Sequence, residues 1–244
     1  MPGYKDRMQV QQGYDSVPLG EKMRFRVDYF FEILPKIAGK LNVTLELTLI
    51  AAACALIIGL VIAVIAYYRI RILYPITRAY VFFIRGTPIV AQLYFFYFGL
   101  AIYSTVIKEM APLTAVAVVM SLNVGAFMSE SIRGAFLSVD EGQKEAAYSL
   151  GMSNLQLAVR IIIPQAVRVA LPPLFNDVIN LVKLSSLAFV LGVPDIMGAA
   201  KIEGAHTFRY FEIYAAVMVI YLMIISLFGL GHKYLEKRCN SMYE

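Results

Sequence analysis

Charged residues are scarce in this sequence. They make up 16% of its 244 residues, while hydrophobic residues make up 59%. An average soluble domain carries about 25% charged residues. The scarcity therefore excludes a chain built around one soluble core and indicates a polytopic membrane protein. In such a protein, the formal net charge of +5 indicates basic cytoplasmic loops rather than nucleic-acid binding.

Cysteine and histidine are also rare, with two of each. Cys54 lies in an apolar run and Cys239 in a basic tail, so neither a disulfide framework nor a metal-binding spacing is present. The phosphate-binding pattern G-x4-G-K-[ST] does not occur in the sequence. If ATP drives this protein, another chain must hydrolyse it, and we expect no cofactor to be bound by this one.

Five stretches are long and apolar enough to cross a hydrocarbon core, which takes about 20 helical residues. They are residues 43–67, 88–106, 112–133, 167–194 and 211–231. We expect Thr87 to cap the second helix and Pro88 to occupy its first position. We expect Pro172 and Pro173 to break the fourth span. The sequence thus predicts an all-α fold with about five transmembrane helices.

The basic residues predict the orientation of these spans. They are concentrated in the first and third connections and in the C-terminal tail, at Arg69, Arg71, Arg78, Arg85, Arg133, Lys144, Arg160, Arg168, Lys233, Lys237 and Arg238. The positive-inside rule then places the C-terminus in the cytoplasm and the N-terminus outside, although the N-terminal segment is itself basic. We divide the chain into an extracytoplasmic tail (1–40), a transmembrane domain (41–232) and a cytoplasmic tail (233–244). Residues 19–40 form either an interfacial helix or a partly ordered tail.

One predicted cytoplasmic segment, residues 134–166, has helix signals of its own. Ser138 with Glu141, and Ser153 with Gln156, match the spacing of a capping box. Gly151 suits the position after a helix C-terminus, and Pro164 is expected to end a helix. These signals predict helices at 139–150 and 154–163, each too short to cross a bilayer. Such a segment is either an ordinary solvated loop or a docking element.

The same segment carries a recognisable motif: EAA, three residues, Gly, nine residues, then I-x-I-P. It resembles the signature loop of binding-protein-dependent ABC transporter permeases, in which the last part is usually I-x-L-P. The matching residues are Glu145, Ala146, Ala147, Gly151, Ile161, Ile163 and Pro164. The stretches at 83–100, 129–151 and 176–196 are similar to signatures of the polar amino acid branch of that family. Together the resemblance covers most of residues 40–232.

The resemblance implies a type I ABC importer permease in the cell membrane, paired with an identical or similar subunit. A cytoplasmic ABC ATPase dimer would use ATP and Mg, and an extracytoplasmic binding protein would deliver the solute. The signature loop would be the coupling helix that docks on the ATPase. Its expected contact residues are Glu145, Ala146, Ala147, Tyr148, Gly151 and Pro164.

Polar residues inside the predicted spans are candidates for a substrate path, because such groups normally face protein or a water-filled cavity. Asn176, Asn180 and Lys183 form one helical stripe. The other candidates are Ser185, Ser186, Asn123 and Gln92. Each has a second interpretation, as an interhelical hydrogen-bonding group. Glu130 and Arg133 are spaced to pair on one helix face.

Other classes of membrane protein fit less well. A stand-alone secondary transporter of small polar solutes would carry an inverted repeat, which the sequence does not show. A membrane-embedded enzyme would need a cluster of catalytic side chains in the spans, and the polar residues there are scattered. A channel would have no use for a docking helix. The sequence does not identify the amino acid carried.

Overall fold

The computed structural model describes residues 25–240, which form helices and short connections. The α-helices, numbered in chain order, are α1 Val27–Ala38, α2 Leu41–Tyr67, α3 Leu73–Gly86, α4 Ile89–Tyr94, α5 Thr105–Lys108, α6 Pro112–Leu137, α7 Glu141–Ser149, α8 Asn154–Leu157, α9 Ile163–Leu184, α10 Ile196–Thr207 and α11 Tyr210–Asn240. Helix α4 continues as a π turn, Phe95–Gly99, and a 3-10 turn, Leu100–Ile102. A second π turn, Ala158–Ile162, joins α8 to α9, and a 3-10 turn, Ser185–Leu191, follows α9.

Within the described residues, four helices have the length and hydropathy of a membrane span: Leu41–Tyr67, Pro112–Leu137, Asn154–Leu191 and Tyr210–Tyr234. A fifth span is possible as the pair Leu73–Gly86 and Ile89–Ile102, which is bent by 111°. The predicted all-α fold with about five spans is therefore confirmed. Residues 19–24 of the predicted interfacial segment lie outside the described residues, and α1 covers its second half.

The second span differs from the prediction of one helix at 88–106. The chain bends before Ile89, and the first connection contains helix α3. Thr87 ends α3 instead of capping α4, whose N-cap is Pro88. The Thr87 hydroxyl donates to Phe83 O at 2.9 Å. It is thus engaged with the end of the preceding helix, and the predicted cap is wrong. The prediction that Pro88 occupies the first helical position is also wrong, because the helix begins at Ile89.

The fourth span is longer and more continuous than predicted. Pro164 does not end a helix, because the π turn before it leads directly into α9 and places the proline in the first turn of that segment. Proline has no N–H to donate, and it is tolerated here beside a π turn, where the regular α-helical hydrogen-bond pattern is already interrupted. Pro172 and Pro173 lie inside α9 without breaking it. Prolines are tolerated in this way in membrane helices, where neighbouring groups satisfy the freed carbonyls.

The described chain divides into two compact units. The first contains residues 25–45 and 186–224. Its core is formed by the buried side chains Ile33, Ile37, Ile196, Ala200, Ile213, Ala216, Val217 and Ile220. Lys36 Nζ donates to Glu203 Oε2 at 2.6 Å, which ties α1 to α10. Asp195 caps α10 by accepting from Gly198 N at 2.8 Å, and burial raises the pKa of this carboxyl to about 6.

The second unit contains residues 46–185 and 225–240. Within it, α2 and α6 approach each other closely at two glycines, Gly59 of α2 and Gly125 of α6. A β-carbon at Gly125 would lie 2.8 Å from Ile58 Cγ2, and one at Gly59 would lie 2.9 Å from Met128 Cβ. Small residues allow this kind of approach between membrane helices, where dispersion contacts supply the attraction.

We predict that Gly125→Ala lowers the melting temperature of the detergent-purified protein, because the new methyl group must displace Ile58. Overpacking of this kind costs about 1–3 kcal/mol. Gly134→Ala on the same helix is the matched control, since a β-carbon at Gly134 meets nothing within 4 Å. The control should be neutral or stabilising, by about 0.5–1 kcal/mol. Equal melting temperatures for the two variants would contradict the close approach of α2 and α6.

Candidate coupling segment and polar cavity

One face of α7 packs against other helices of the second unit, and the opposite face is exposed. Ala147 is 2% exposed and packs with Ala135, Val139, Leu157, Ile162 and Ala166. Lys144 is also buried, donates to Glu141 Oε1 at 2.8 Å and lies 5.7 Å from the centre of the Tyr67 ring. Its hydrogen bond to Glu141 raises the pKa of Lys144. The buried face therefore fixes the position of α7, and Ala147 belongs to this anchoring face.

The opposite face of α7 is open to solvent. Glu145, Ala146 and Tyr148 are exposed, and the following turn projects Leu150, which is 79% exposed. Leu155 beyond the turn is 73% exposed. Glu145, Tyr148 and Leu150 lie outside the candidate spans, and an exposed acidic and apolar surface there is the type of surface that a protein partner covers.

The turn after α7 is the one that the sequence predicts. Gly151 has φ +75°, a left-handed conformation that glycine adopts without the steric cost of a β-carbon. Gly151 N donates to Tyr148 O at 2.9 Å and Met152 N donates to Ala147 O at 3.0 Å. This pair of bonds is a Schellman motif. The prediction that Gly151 follows a helix C-terminus is confirmed.

The two predicted capping boxes have different outcomes. Ser153 and Gln156 form the reciprocal pair at the start of α8, as predicted. Ser138 instead ends α6, where its hydroxyl donates to Ala135 O at 2.8 Å, and the N-cap of α7 is Asp140. The first box is therefore wrong, because α6 runs four residues past the predicted end of its span. The exposed Pro164 lies at the start of α9.

Several of the predicted path residues come together in a cavity of about 390 Å³ in the second unit. Asn123 of α6 lines it, as do Asn180 and Lys183 of α9. Asp177 also lines it and accepts from Ser131 Oγ at 3.4 Å. The cavity thus presents amides, a carboxylate and an ammonium group within a largely apolar bundle, a combination that suits a zwitterionic solute.

The remaining path candidates lie elsewhere. Asn176 is exposed and does not line this cavity. Ser185 is fully buried, and its hydroxyl donates to Val182 O at 2.7 Å, while Ser186 is half-buried. Sequence reasoning missed Arg85 and Thr87, which do line the cavity. Both precede the bend before Ile89, and a straight second span gave no reason to expect them there.

Gln92 has a different environment from the cavity residues. Its buried amide Nε2 donates to Ile84 O at 2.9 Å, to Thr87 O at 3.1 Å and to Thr87 Oγ1 at 2.8 Å. Its Oε1 accepts from Asn123 Nδ2 at 3.0 Å. Carbonyls in the last turn of a helix have no intrahelical donors, so Gln92 satisfies the end of α3 and joins it to α6. We refer to these contacts as the Gln92 clamp.

Comparison with known proteins identifies relatives over most of the chain. Residues 43–241 match the family model described as binding-protein-dependent transport system inner membrane component. A probable amino-acid ABC transporter permease protein, PatM, of Vibrio harveyi is 35% identical over 91% of this chain and 99% of its own. The L-cystine transport system permease protein TcyL of Bacillus subtilis is 33% identical over 88% of this chain and 91% of its own.

Solved structures agree with the fold. The crystal structure of an amino acid ABC transporter with histidines matches with a TM-score of 0.82 and 32% identity, covering 88% of this chain and 100% of the other. An inward-facing structure of the MetNI methionine ABC transporter matches with a TM-score of 0.71 at 18% identity, covering 85% and 98%. The second likeness concerns the fold alone.

We predict that Gln92→Met destabilises the protein, because it removes the clamp's donors while keeping the side-chain length. Loss of a buried partner costs about 1–3 kcal/mol. Gln143→Met is the control, since Gln143 is exposed and its Oε1 accepts from Gln165 Nε2 in an exposed setting. Thermal unfolding in detergent measures both. A Gln92→Met protein as stable as the control variant would show that the clamp does not hold α3 to α6.

Proposed function

Because the chain belongs to the family of binding-protein-dependent transport system inner membrane components, we propose that it forms the translocation path of an ATP-driven importer for a polar amino acid or a close analogue. The named relatives that are amino-acid permeases support this choice of solute. The chain would be the permease subunit, and a separate ATPase would supply the energy.

The observation that carries the proposal is the cavity between α6 and α9. An amino acid has an ammonium and a carboxylate, and the wall offers Asp177 and Lys183 as groups of opposite charge to each. Asn123 and Asn180 add amides that both donate and accept. The volume of about 390 Å³ falls in the range of small-molecule sites, about 300–1,000 Å³. In this proposal, Asn176, Ser185 and Ser186 belong to the path beyond the cavity.

Coupling to the ATPase would occur through α7 and the turn after it. Glu145, Ala146 and Tyr148 provide an exposed face for docking, and Gly151 fixes the turn that ends it. Ala147 anchors this face from behind, and Pro164 lies in the first turn of α9. A rigid-body movement of the partner would then reach α9 without passing through a flexible linker.

The remaining parts of the proposal follow from the family. The chain would pair with a second permease subunit, an identical copy, and receive its solute from an extracytoplasmic binding protein. ATP and Mg would be used by a cytoplasmic ATPase dimer. The multi-pass chain would have its N-terminus outside and its C-terminus in the cytoplasm, as the distribution of arginines and lysines favours.

We predict that Glu145→Lys and Gly151→Val abolish uptake while the protein still inserts into the membrane. Glu145→Lys reverses the charge of the docking face, and valine at Gly151 is strained at positive φ. The measurement is a mild-detergent pull-down from the native host with mass spectrometry, alongside uptake in cells. We expect the unmodified chain to retain a protein with a phosphate-binding loop and both variants to lose it.

Glu109→Lys serves as the control for Glu145→Lys, because it makes the same charge change at another exposed residue, in the predicted second connection. It should retain the ATPase. Normal uptake by Glu145→Lys and Gly151→Val would remove α7 as the coupling element. Failure of the unmodified chain to retain any ATPase would favour a stand-alone carrier.

We further predict that Lys183→Ala raises the KM for uptake by about 10-fold or more, because it removes a charged partner of the solute. ATPase retention in the pull-down should stay unchanged. Lys233→Ala, an exposed lysine on α11, should leave both readouts unchanged. If Lys183→Ala instead releases the ATPase, the lysine has a structural role and the cavity is not the path.

A further inference from the structure

A second cavity, of about 470 Å³, is walled by the end of α2, by α3 and by α6. Four arginines line it: Arg69, Arg78, Arg85 and Arg133. We refer to it as the arginine cavity. Nothing in the proposed transport path uses it, although Arg85 lines both cavities.

The charge of the arginine cavity is unbalanced. One carboxylate, Glu130, lies in its wall. That carboxylate is already paired with Arg133, at 2.7 Å. Four arginines against one glutamate leave a net of three positive charges. The Arg78 guanidinium lies 5.8 Å from the centre of the Tyr74 ring, but among the described residues no carboxylate forms an ion pair with Arg69, Arg78 or Arg85.

The end of α2 determines how Arg69 reaches the arginine cavity. Arg69 has φ +49°, a left-handed conformation in which a side chain is strained and glycine is usual. It occupies the position after the end of α2, where Ile70 N donates to Ile65 O at 3.2 Å. The bond and the left-handed φ are those of a Schellman C-cap with Arg69 at the C′ position, so the cap sets the direction of the Arg69 side chain. Here that side chain lines the arginine cavity.

The rest of the wall indicates what kind of anion fits. Its other lining residues are largely apolar or aromatic, among them Ile62, Ala66, Tyr67, Val81, Phe82 and Leu137. Guanidinium groups bind phosphate oxygens through two parallel hydrogen bonds. Basic pockets among membrane helices suit lipid headgroups, whose acyl chains need an apolar surface beside the charge. A fully hydrated anion would gain nothing from that apolar wall.

We propose that the arginine cavity binds the phosphate headgroup of an anionic phospholipid. Arg69, Arg78 and Arg85 would contact the phosphate oxygens, and the apolar part of the wall would contact the first carbons of the lipid. A free phosphate ion would present the same oxygens to these arginines, so the test must distinguish it from a lipid headgroup.

The test uses the full chain, purified with its co-eluting subunits and placed in nanodiscs of phosphatidylcholine. Phosphatidylglycerol is then titrated in, and its retention is measured by native mass spectrometry together with the melting temperature. We expect Arg69→Gly and Arg78→Gln each to weaken phosphatidylglycerol binding by about five-fold. Arg69→Gly should keep or raise the melting temperature in phosphatidylcholine alone, because glycine relieves the strain at positive φ.

Arg71→Gln is the matched control. Arg71 is an exposed arginine in the same connection, and it does not line the cavity. Unchanged phosphatidylglycerol binding by Arg71→Gln supports a defined site. A loss as large as that of Arg69→Gly would overturn the proposal, because it would show diffuse attraction between the basic surface and the anionic membrane.

A further arm separates the two sources of phosphate. Inorganic phosphate at millimolar concentration should neither raise the melting temperature in phosphatidylcholine nor displace phosphatidylglycerol. Displacement would overturn the lipid assignment in favour of a free-anion site. Unaltered phosphatidylglycerol binding by both cavity variants would overturn the site itself. None of these readouts depends on transport, so they stand apart from the proposed function.

Discussion

The Gln92 clamp is the interaction on which the second unit depends most. A helix pair bent by 111° leaves carbonyls at the bend that must find donors inside an apolar bundle. The Gln92 amide donates to two of these carbonyls, Ile84 O and Thr87 O, and to the Thr87 hydroxyl, and its oxygen accepts from Asn123. The clamp therefore fixes the bend. The bend places Thr87 and Arg85 on the wall of the cavity that Asp177 and Lys183 line, which we call the polar cavity.

Helix α6 links these features because it contributes to each of them. Asn123 belongs to the Gln92 clamp, Gly125 allows the close approach of α2, and Glu130 holds Arg133 at the arginine cavity. The two cavities thus share a wall but differ in charge. The polar cavity combines a carboxylate with an ammonium group, whereas the arginine cavity is strongly cationic. Sites of such different charge on one helix suit different ligands.

Sequence patterns predicted the features that depend on local chemistry. Hydropathy located the spans, Gly151 marked a left-handed turn, and the spacing of Ser153 and Gln156 gave a true capping box. The stripe on α9 placed Asn180 and Lys183 on the cavity wall but Asn176 outside it. The roles of the path and coupling residues remain predictions.

The errors arose where tertiary structure overrides a local signal. Thr87 has the residue type and spacing of a cap, but the bend engages it with the preceding helix. The prolines of α9 signal a break, yet packing and a π turn let the helix continue. From the sequence, Arg85 contributed only to the predicted orientation of the spans. Its place on the cavity wall depends on the bend before Ile89, which a hydropathy pattern does not reveal.

The unbroken helix from Asn154 to Leu191 has a mechanical consequence. Its 38 residues extend about 57 Å at 1.5 Å per residue, whereas the hydrocarbon core is about 30 Å thick. The helix is therefore longer than one crossing of the hydrocarbon core requires, even when it is tilted. In the proposed importer, a continuous helix of this kind would carry a displacement at its Asn154 end into the spans without the entropic cost of ordering a linker.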